Sequence, residues 1–132
     1  MENFANSGNT TKKTILLVDD EEFFRTATTA MLKDEYHVIT ANSGAEALEL
    51  LNQGVIPNAI LLDLVMPDMD GWATFEKAKD ICSQNQVPIA FFTSSFEIEI
   101  IKKAFNVGVN EYISKPVNKE ELIKVIKKML KE

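Results

Sequence analysis

The sequence has few of the residues that build disulfide-linked, nucleic-acid-binding or membrane-spanning proteins. Cys82 is the only cysteine among 132 residues, so no internal disulfide can form and a reducing compartment is favoured. Arg25 is the only arginine, and the net charge of −6 opposes nonspecific binding to phosphate backbones. No apolar stretch approaches the roughly 20 residues of a membrane span. These absences predict a cytoplasmic protein that neither inserts into a membrane nor binds nucleic acid directly.

The residues that are present suit one globular domain. The chain is 45% hydrophobic, and its 132 residues allow one core but not two domains of ordinary size. Residues 1–13 are polar and have no hydrophobic periodicity, which is typical of a disordered tail. We therefore expect a disordered tail over residues 1–13 and a single domain over residues 14–132.

Short apolar runs alternate with helical patterns through the whole domain. Each run is followed by a segment with helical spacing of its apolar residues. This alternation predicts a parallel sheet with right-handed crossovers and helices on both faces. The expected fold is therefore α/β and doubly wound, with the flavodoxin-like strand order 2-1-3-4-5. The predicted strands are residues 14–18, 36–40, 59–62, 87–92 and 110–113.

The fourth helix is predicted from two signals. Ser94 and Glu97 have the spacing of a capping box. Ile98, Ile101 and Phe105 then recur on one face and form the main apolar stripe of the expected helix.

Four of the predicted strands end on polar residues that could do chemistry. These are Asp19 with Asp20, Asp63, Thr93 and Lys115. Parallel strands end at the same edge of the sheet, and the first and third strands are neighbours in the expected order. Three carboxylates placed together repel one another unless a cation intervenes. A small divalent ion with oxygen ligands, Mg²⁺ or Mn²⁺, fits this need.

Phosphoryl transfer requires that the phosphoryl oxygens be positioned and that their charge be neutralised. The same strand ends carry groups that could do both. Lys115 supplies a fixed positive charge and Thr93 a hydroxyl donor. A carboxylate nucleophile would give an acyl phosphate.

These motifs resemble the receiver domain of two-component response regulators, in particular the stand-alone, chemotaxis-regulator-like kind. The resemblance covers residues 14–131, and it implies a flavodoxin-like (βα)5 fold. The segments that carry it are Leu17–Glu21, Leu61–Gly71, Thr93–Ser94 and Tyr112–Pro116.

The resemblance also implies a phosphoacceptor and a metal site. Asp63 would be phosphorylated by a sensor histidine kinase or a histidine phosphotransfer protein. Asp20 and Asp63 would bind Mg²⁺ directly, and Asp19 would act mainly through water. The backbone carbonyl of Val65 would complete the protein ligands.

A set of switch residues is implied in the same way. Lys115 would pair with the phosphoryl oxygens, and Thr93 would move to hydrogen-bond one of them. Tyr112 would swing inward behind Thr93. Pro116 would follow a cis peptide bond.

Three apolar residues are candidate contacts for partner proteins. Phe23 and Phe24 are consecutive and point about 100° apart on a helix, and Phe24 follows the acidic pair closely enough to meet a kinase or phosphotransfer helix. Ile100 and Val107 fall outside the main apolar stripe of the fourth helix. Because receivers commonly signal through the fourth helix, fifth strand and fifth helix, these two residues are expected on an output surface.

We therefore expect a single-domain receiver, monomeric or weakly dimeric, that signals to an unidentified protein target by phosphorylation-dependent contact and is not a turnover enzyme. The chain ends soon after the fifth helix, so no output domain is expected. A phosphorelay intermediate or a receiver fragment of a larger protein is the alternative. A Mg²⁺-dependent phosphohydrolase is disfavoured because Val65 stands where such enzymes place a second acid. A pseudo-receiver is disfavoured by the intact set of acids, Thr93 and Lys115.

Overall fold

A five-stranded parallel sheet forms the centre of the structure, a computed structural model that describes residues 12–67 and 69–132. All four pairs of neighbouring strands are parallel, and the strand order is 2-1-3-4-5. The predicted doubly wound, flavodoxin-like fold is therefore confirmed. The strands are β1 (Thr14–Val18), β2 (His37–Ala41), β3 (Ala59–Leu62), β4 (Ile89–Thr93) and β5 (Glu111–Ser114).

One helix follows each strand. Helices α2, α3 and α4 contribute to the apolar cluster on one face of the sheet, whereas α1 and α5 contribute to the cluster on the other. This is the two-faced covering that right-handed parallel crossovers produce. The helices are α1 (Glu22–Leu32), α2 (Gly44–Asn52), α3 (Gly71–Gln84), α4 (Ile98–Val107) and α5 (Lys119–Leu130).

The central strands are continuously apolar because both of their faces are covered. In β1, Ile15 and Leu17 join one apolar cluster while Leu16 and Val18 join the other. All four are almost completely buried. Burial of each such side chain stabilises the fold by about 1.5–3 kcal/mol.

Side chains cap the starts of helices α2 and α5. The Ser43 hydroxyl accepts a hydrogen bond from the Glu46 backbone N–H at 3.1 Å, and the Asn118 side chain accepts one from Glu121 N–H at 2.8 Å. The Glu46 carboxylate in turn accepts from the backbone N–H of Asn42. These bonds satisfy N–H groups that have no partner inside a helix.

Helix α4 differs from the prediction in its start and in its buried face. It begins at Ile98, and its N-cap residue Glu97 makes no side-chain capping bond, so the predicted capping box is wrong. Ile98 is 64% exposed and Phe105 48% exposed, whereas Ala104 is fully buried and Ile100 packs against the core. Spacing defines a stripe without showing which stripe meets the sheet, and positions 100 and 104 are also one helical turn apart.

The N-terminal boundary is partly visible. Residues 1–11 of the expected disordered tail lie outside the described residues. Lys12 and Lys13 contact the domain: the Lys13 carbonyl accepts a hydrogen bond from His37 N–H at 2.9 Å, and the Lys12 ammonium donates to the Lys33 carbonyl at 2.9 Å. The structure thus places these two residues against β2 and the end of α1.

None of the five helices within the described ranges has the length and apolar character that a bilayer crossing requires.

Candidate functional site

Buried polar side chains gather at the carboxyl edge of the sheet. Asp19 follows β1, Asp63 follows β3, Thr93 ends β4 and Lys115 follows β5. The exposed fractions of these four residues are 1%, 6%, 1% and 7%. Asp20 is half-buried beside them. The structure therefore brings together all the polar strand ends that the sequence singled out.

The three aspartates form an acidic cluster. One carboxylate oxygen from each of Asp19, Asp20 and Asp63 lies within 4.8 Å of the others. Hard oxygen donors in a group of this size fit Mg²⁺, which usually takes one or two carboxylates and keeps several waters. The chemistry of the donors therefore suits the ion that the sequence predicts.

Asp19 is fixed by backbone contacts at the start of α1. Its Oδ1 accepts a hydrogen bond from the Glu21 backbone N–H at 2.9 Å, and its carbonyl accepts one from Arg25 Nη1 at 2.8 Å. These bonds tie the acidic loop to the first turn of the helix.

Asp63 lies where the chain turns sharply between β3 and α3. Its Oδ1 accepts a hydrogen bond from Val65 N–H at 3.3 Å, and Val65 itself is 73% exposed. Gly71, the first residue of α3, packs directly against this turn. A Cβ at Gly71 would collide with the Asp63 carbonyl oxygen and lie 2.7 Å from Leu64 Cα. Only glycine lets the helix start so close to the phosphoacceptor candidate, a role that the sequence analysis missed.

Lys115 reaches into the acidic cluster from the end of β5. Its ammonium forms an ion pair with Asp19 Oδ2 and lies 3.5 Å from Asp63 Oδ2. The Lys115 backbone N–H donates to the Thr93 carbonyl at 2.8 Å, which joins the ends of β4 and β5. The peptide bond between Lys115 and Pro116 is cis.

The Asp63 carboxyl group is in an unfavourable environment for a negative charge. Burial raises its pKa above the ordinary value of 3.8, and the nearby charge of Asp19 raises it further. Lys115, the Val65 N–H and the Thr93 hydroxyl act in the opposite direction, but the pKa remains raised. A cation bound between the carboxylates would relieve this penalty.

Thr93 and Tyr112 lie in neighbouring strands: Thr93 ends β4 and pairs with Ser114 of β5, whereas Tyr112 pairs with Phe91. Tyr112 is partly buried against the core, and its hydroxyl donates to the Ser95 carbonyl at 2.6 Å. Burial, as the largest cause, raises the pKa of Tyr112. The tyrosine ring is therefore partly buried against the core, and its hydroxyl is bonded to the loop that follows Thr93.

Two of the three candidate partner contacts are not freely exposed. Phe24 is half-buried, with its ring centroid 4.3 Å from the Lys115 ammonium nitrogen, whereas Phe23 is 75% exposed. Ile100 is partly buried and packs against the core, and its place on an output surface stays a prediction. Val107 is 38% exposed. The spacing of apolar residues did not predict these differences in exposure, because spacing does not show which side chains pack against Lys115 or the core.

Comparison with known proteins identifies the family of the chain that carries this site. The sequence profile of the response regulator receiver domain matches residues 15–127. The chain belongs to the response regulator receiver domain family. Receiver domains are phosphoacceptor switches of two-component signalling that bind Mg²⁺ at an acidic pocket and interact with histidine kinases or phosphotransfer proteins.

Three relatives illustrate the similarity. The chain is 34% identical over 119 residues to the histidine kinase P4 of Formosa agariphila, covering 90% of this chain and 9% of that protein. It is 32% identical over 119 residues to the chemotaxis protein CheY of Halobacterium salinarum, covering 89% and 97%. The solved structure of the chemotaxis protein CheY4 of Vibrio cholerae matches with a TM-score of 0.78 and 31% identity, over 91% of this chain and all of that one. Several other relatives are about twice as long as the matched segment.

Proposed function

We propose that Asp63 accepts a phosphoryl group and that its phosphorylation switches the contacts of this chain with other proteins. The observation that carries this proposal is the placement of the Asp63 carboxylate 3.5 Å from the buried Lys115 ammonium, within an acidic cluster. A nucleophile, a fixed positive charge and a metal-binding donor set thus converge on one point at the carboxyl edge of the sheet.

The metal would be held by Asp19, Asp20 and Asp63, with the Val65 carbonyl as a further ligand. Mg²⁺ would serve here, and Mn²⁺ has the same preference for oxygen donors. When bound, the ion would neutralise part of the negative charge of the carboxylates and of the incoming phosphoryl oxygens.

Asp63 would act as a carboxylate and therefore needs no general base. One of its oxygens attacks phosphorus, an O–P bond forms, and the bond between phosphorus and the donor breaks. With a phosphohistidine donor the leaving group is the imidazole of the partner protein. Burial raises the pKa of Asp63 and the charge of Lys115 opposes that rise, so Lys115 would favour the ionised acid and attract the donor's phosphoryl oxygens.

The switch would act on the loop between β4 and α4. A phosphoryl group adds about −1.5 to −2 charge and three acceptor oxygens. The Thr93 hydroxyl, at the end of β4, would donate to one of them. Because the Tyr112 hydroxyl is bonded to Ser95 on the same loop, movement of Thr93 would change the position of α4 relative to β5.

The output surface would lie on the outer side of α4. Phe96, Ile98 and Phe105 are apolar and 74%, 64% and 48% exposed. We propose these residues and Val107 as the main contacts, with the partly buried Ile100 at their edge. Phe24 is half-buried, so it offers a kinase or phosphotransfer protein only part of its ring.

A phosphohydrolase is the weaker alternative. Such an enzyme usually needs an acid two residues beyond its aspartate nucleophile to protonate the leaving group. Here that residue is Val65, whose side chain is apolar and points largely into solvent. The site therefore favours a phosphoacceptor without turnover on a separate substrate.

Intact-mass spectrometry after incubation with acetyl phosphate tests the proposal. The wild-type protein should gain one phosphoryl group in the presence of Mg²⁺ and none in EDTA, and Asp63→Asn should gain none. An adduct that persists in Asp63→Asn would show that another residue is the acceptor. Absence of an adduct from the wild-type protein, with both acetyl phosphate and phosphorylated histidine donors, would contradict the proposal.

A further inference from the structure

Two aromatic rings lie against the ammonium group of Lys115. The ring centroid of Phe24 is 4.3 Å from Nζ, and that of Phe92 is 5.4 Å away. The Lys115 side chain is 3% exposed. A cation within about 6 Å of an aromatic face is attracted by the ring quadrupole, and the attraction grows when water is excluded. The ammonium is therefore surrounded by two carboxylates and two rings.

The two carboxylates alone do not fix where this ammonium lies. Lys115 is closer to Asp19 than to Asp63, which is 3.5 Å away. A lysine carries a compact charge on a flexible four-carbon stem. Without a further constraint, the ammonium could turn to Asp19 and leave the phosphoacceptor candidate. The Phe24 ring, with its centroid 4.3 Å from Nζ, limits that movement.

Phe24 is held firmly enough to provide this constraint. It lies in the first turn of α1, which begins at Glu22. The same turn is tied to Asp19 by the Glu21 N–H bond of 2.9 Å and the Arg25 bond of 2.8 Å. The ring, the acidic loop and the ammonium therefore form one connected unit.

We propose that Phe24 is a positioning residue for phosphoryl transfer, because its ring holds the Lys115 ammonium beside Asp63. This inference rests on the proposed phosphorylation of Asp63. In this role Phe24 acts through Lys115. It also explains why the second of two consecutive phenylalanines is turned inward.

The neighbouring Phe23 provides a matched control. It is 75% exposed, and its ring meets that of Phe24 edge-on at 5.6 Å. The two residues share residue type and helix turn, but of the two it is Phe24 whose ring lies against the Lys115 ammonium. Phe92 is less suitable for a test because it is 4% exposed in β4 and its loss would also open the core.

The first test compares Phe24→Leu, Phe24→Tyr and Phe23→Leu with the wild-type protein. Leucine keeps an apolar side chain but removes the aromatic face, and tyrosine keeps the face. The initial rate of phosphoryl uptake from acetyl phosphate in Mg²⁺ is followed by intact mass, and the melting temperature of each variant is recorded. We expect uptake by Phe24→Leu to slow by about fivefold. Phe24→Tyr and Phe23→Leu should remain close to the wild-type rate.

The second test reports the position of the ammonium without any phosphorylation. The Cε and Hε resonances of Lys115, assigned by their loss in Lys115→Arg, are measured in metal-free protein. A ring above the ammonium shields these nuclei, so the resonances should lie upfield in wild type and in Phe24→Tyr. They should return toward ordinary lysine values in Phe24→Leu and be unchanged in Phe23→Leu.

The two tests distinguish failure of the positioning role of Phe24 from failure of the proposed phosphorylation of Asp63. A wild-type rate of uptake in Phe24→Leu, with Lys115 resonances still at their wild-type upfield positions, would overturn the positioning role. Equal slowing in Phe24→Leu and Phe24→Tyr would overturn it too, since shape rather than the aromatic face would then matter. A wild-type protein that takes up no phosphoryl group would contradict the proposed function, and with it a role in the transfer step. In that case the resonances still decide whether Phe24 holds the ammonium.

Discussion

The amino and carboxyl ends of the strands are bonded by different kinds of side chain. At the amino end, Asn58 and Asn110 each exchange two hydrogen bonds with a neighbouring strand. The Asn58 side chain accepts from Thr14 N–H at 2.7 Å while its own N–H donates to the Thr14 carbonyl at 2.8 Å. Asn110 makes the same pair of bonds with Ile89, at 2.9 and 2.8 Å. At these two positions, neutral side chains complete the hydrogen bonding of the strand ends.

The carboxyl end instead buries charges that conflict. Asp19 and Asp63 share one buried ammonium, and the pKa of Asp63 is raised by its burial. Neutral amides could complete these strands as they do at the other end. The comparison therefore supports the proposal that the carboxyl end serves binding of a cation and a phosphoryl group rather than stability.

The largest expected effect comes from removing the central cation. Lys115→Met leaves two buried acids without their partner and should lower the metal-free free energy of unfolding by about 3–5 kcal/mol. Denaturant unfolding in EDTA measures the loss, and Mg²⁺ should recover part of it. A variant as stable as the wild-type protein in EDTA would show that the ion pairs do not hold this edge together.

At the amino end, Asn110→Ala should cost less and behave differently. The change leaves the Ile89 N–H without its acceptor and should lower the free energy of unfolding by about 1–3 kcal/mol. Because no charge is involved, the loss should be the same in EDTA and in Mg²⁺. A loss that depends on Mg²⁺ would mean that the two ends are coupled through the sheet.

Tyr112→Phe removes one hydrogen bond near the switch. The loss of the bond to the Ser95 carbonyl should cost about 0.5–1.5 kcal/mol in unfolding experiments. Phosphoryl uptake at Asp63 should remain, while the response of the loop after Thr93, followed by amide chemical shifts, should weaken. An unchanged loop response would separate Tyr112 from the switch.

The smallest expected effect is a gain in stability, whereas the preceding variants lose stability. Asp63→Asn removes like-charge repulsion and should raise the melting temperature in EDTA while weakening Mg²⁺ binding. Since folding raises the pKa of Asp63, the folded state loses stability relative to the unfolded state as pH rises from the ordinary value of 3.8 through the raised value. The advantage of Asp63→Asn should therefore appear above that window and vanish below 3.8. A mutant less stable than wild type in EDTA at neutral pH would argue against a shared acidic pocket.

Much of the fold was predictable because its signals are local. Continuous apolar runs that end on a carboxylate or a threonine predict buried parallel strands, and parallel strands necessarily place Asp19, Asp63 and Thr93 at one edge. Capping at Ser43 and Asn118 is also a local interaction. The metal-ligand roles and the phosphoacceptor role stay predictions until the measurements above are made.

The remaining features depend on tertiary packing. Ile98 and Phe105 form as regular a stripe as any on α4, but the helix turns Ala104 and Ile100 to the core instead. Phe24 resembles an exposed residue in sequence and becomes a neighbour of Lys115 only when α1 meets the end of β5. Gly71 reads as part of a turn, and its contact with the Asp63 backbone appears only in three dimensions.

The most direct measurement is an NMR titration of the Asp63 carboxyl carbon in metal-free protein. We expect its midpoint, which reports the pKa of Asp63, to lie above the ordinary aspartate value of 3.8. Added Mg²⁺ should shift that midpoint downward, because a bound cation favours the ionised form. A midpoint at or below 3.8 without metal, unaffected by Mg²⁺, would contradict the conclusion that this edge of the sheet holds a carboxylate in need of a cation.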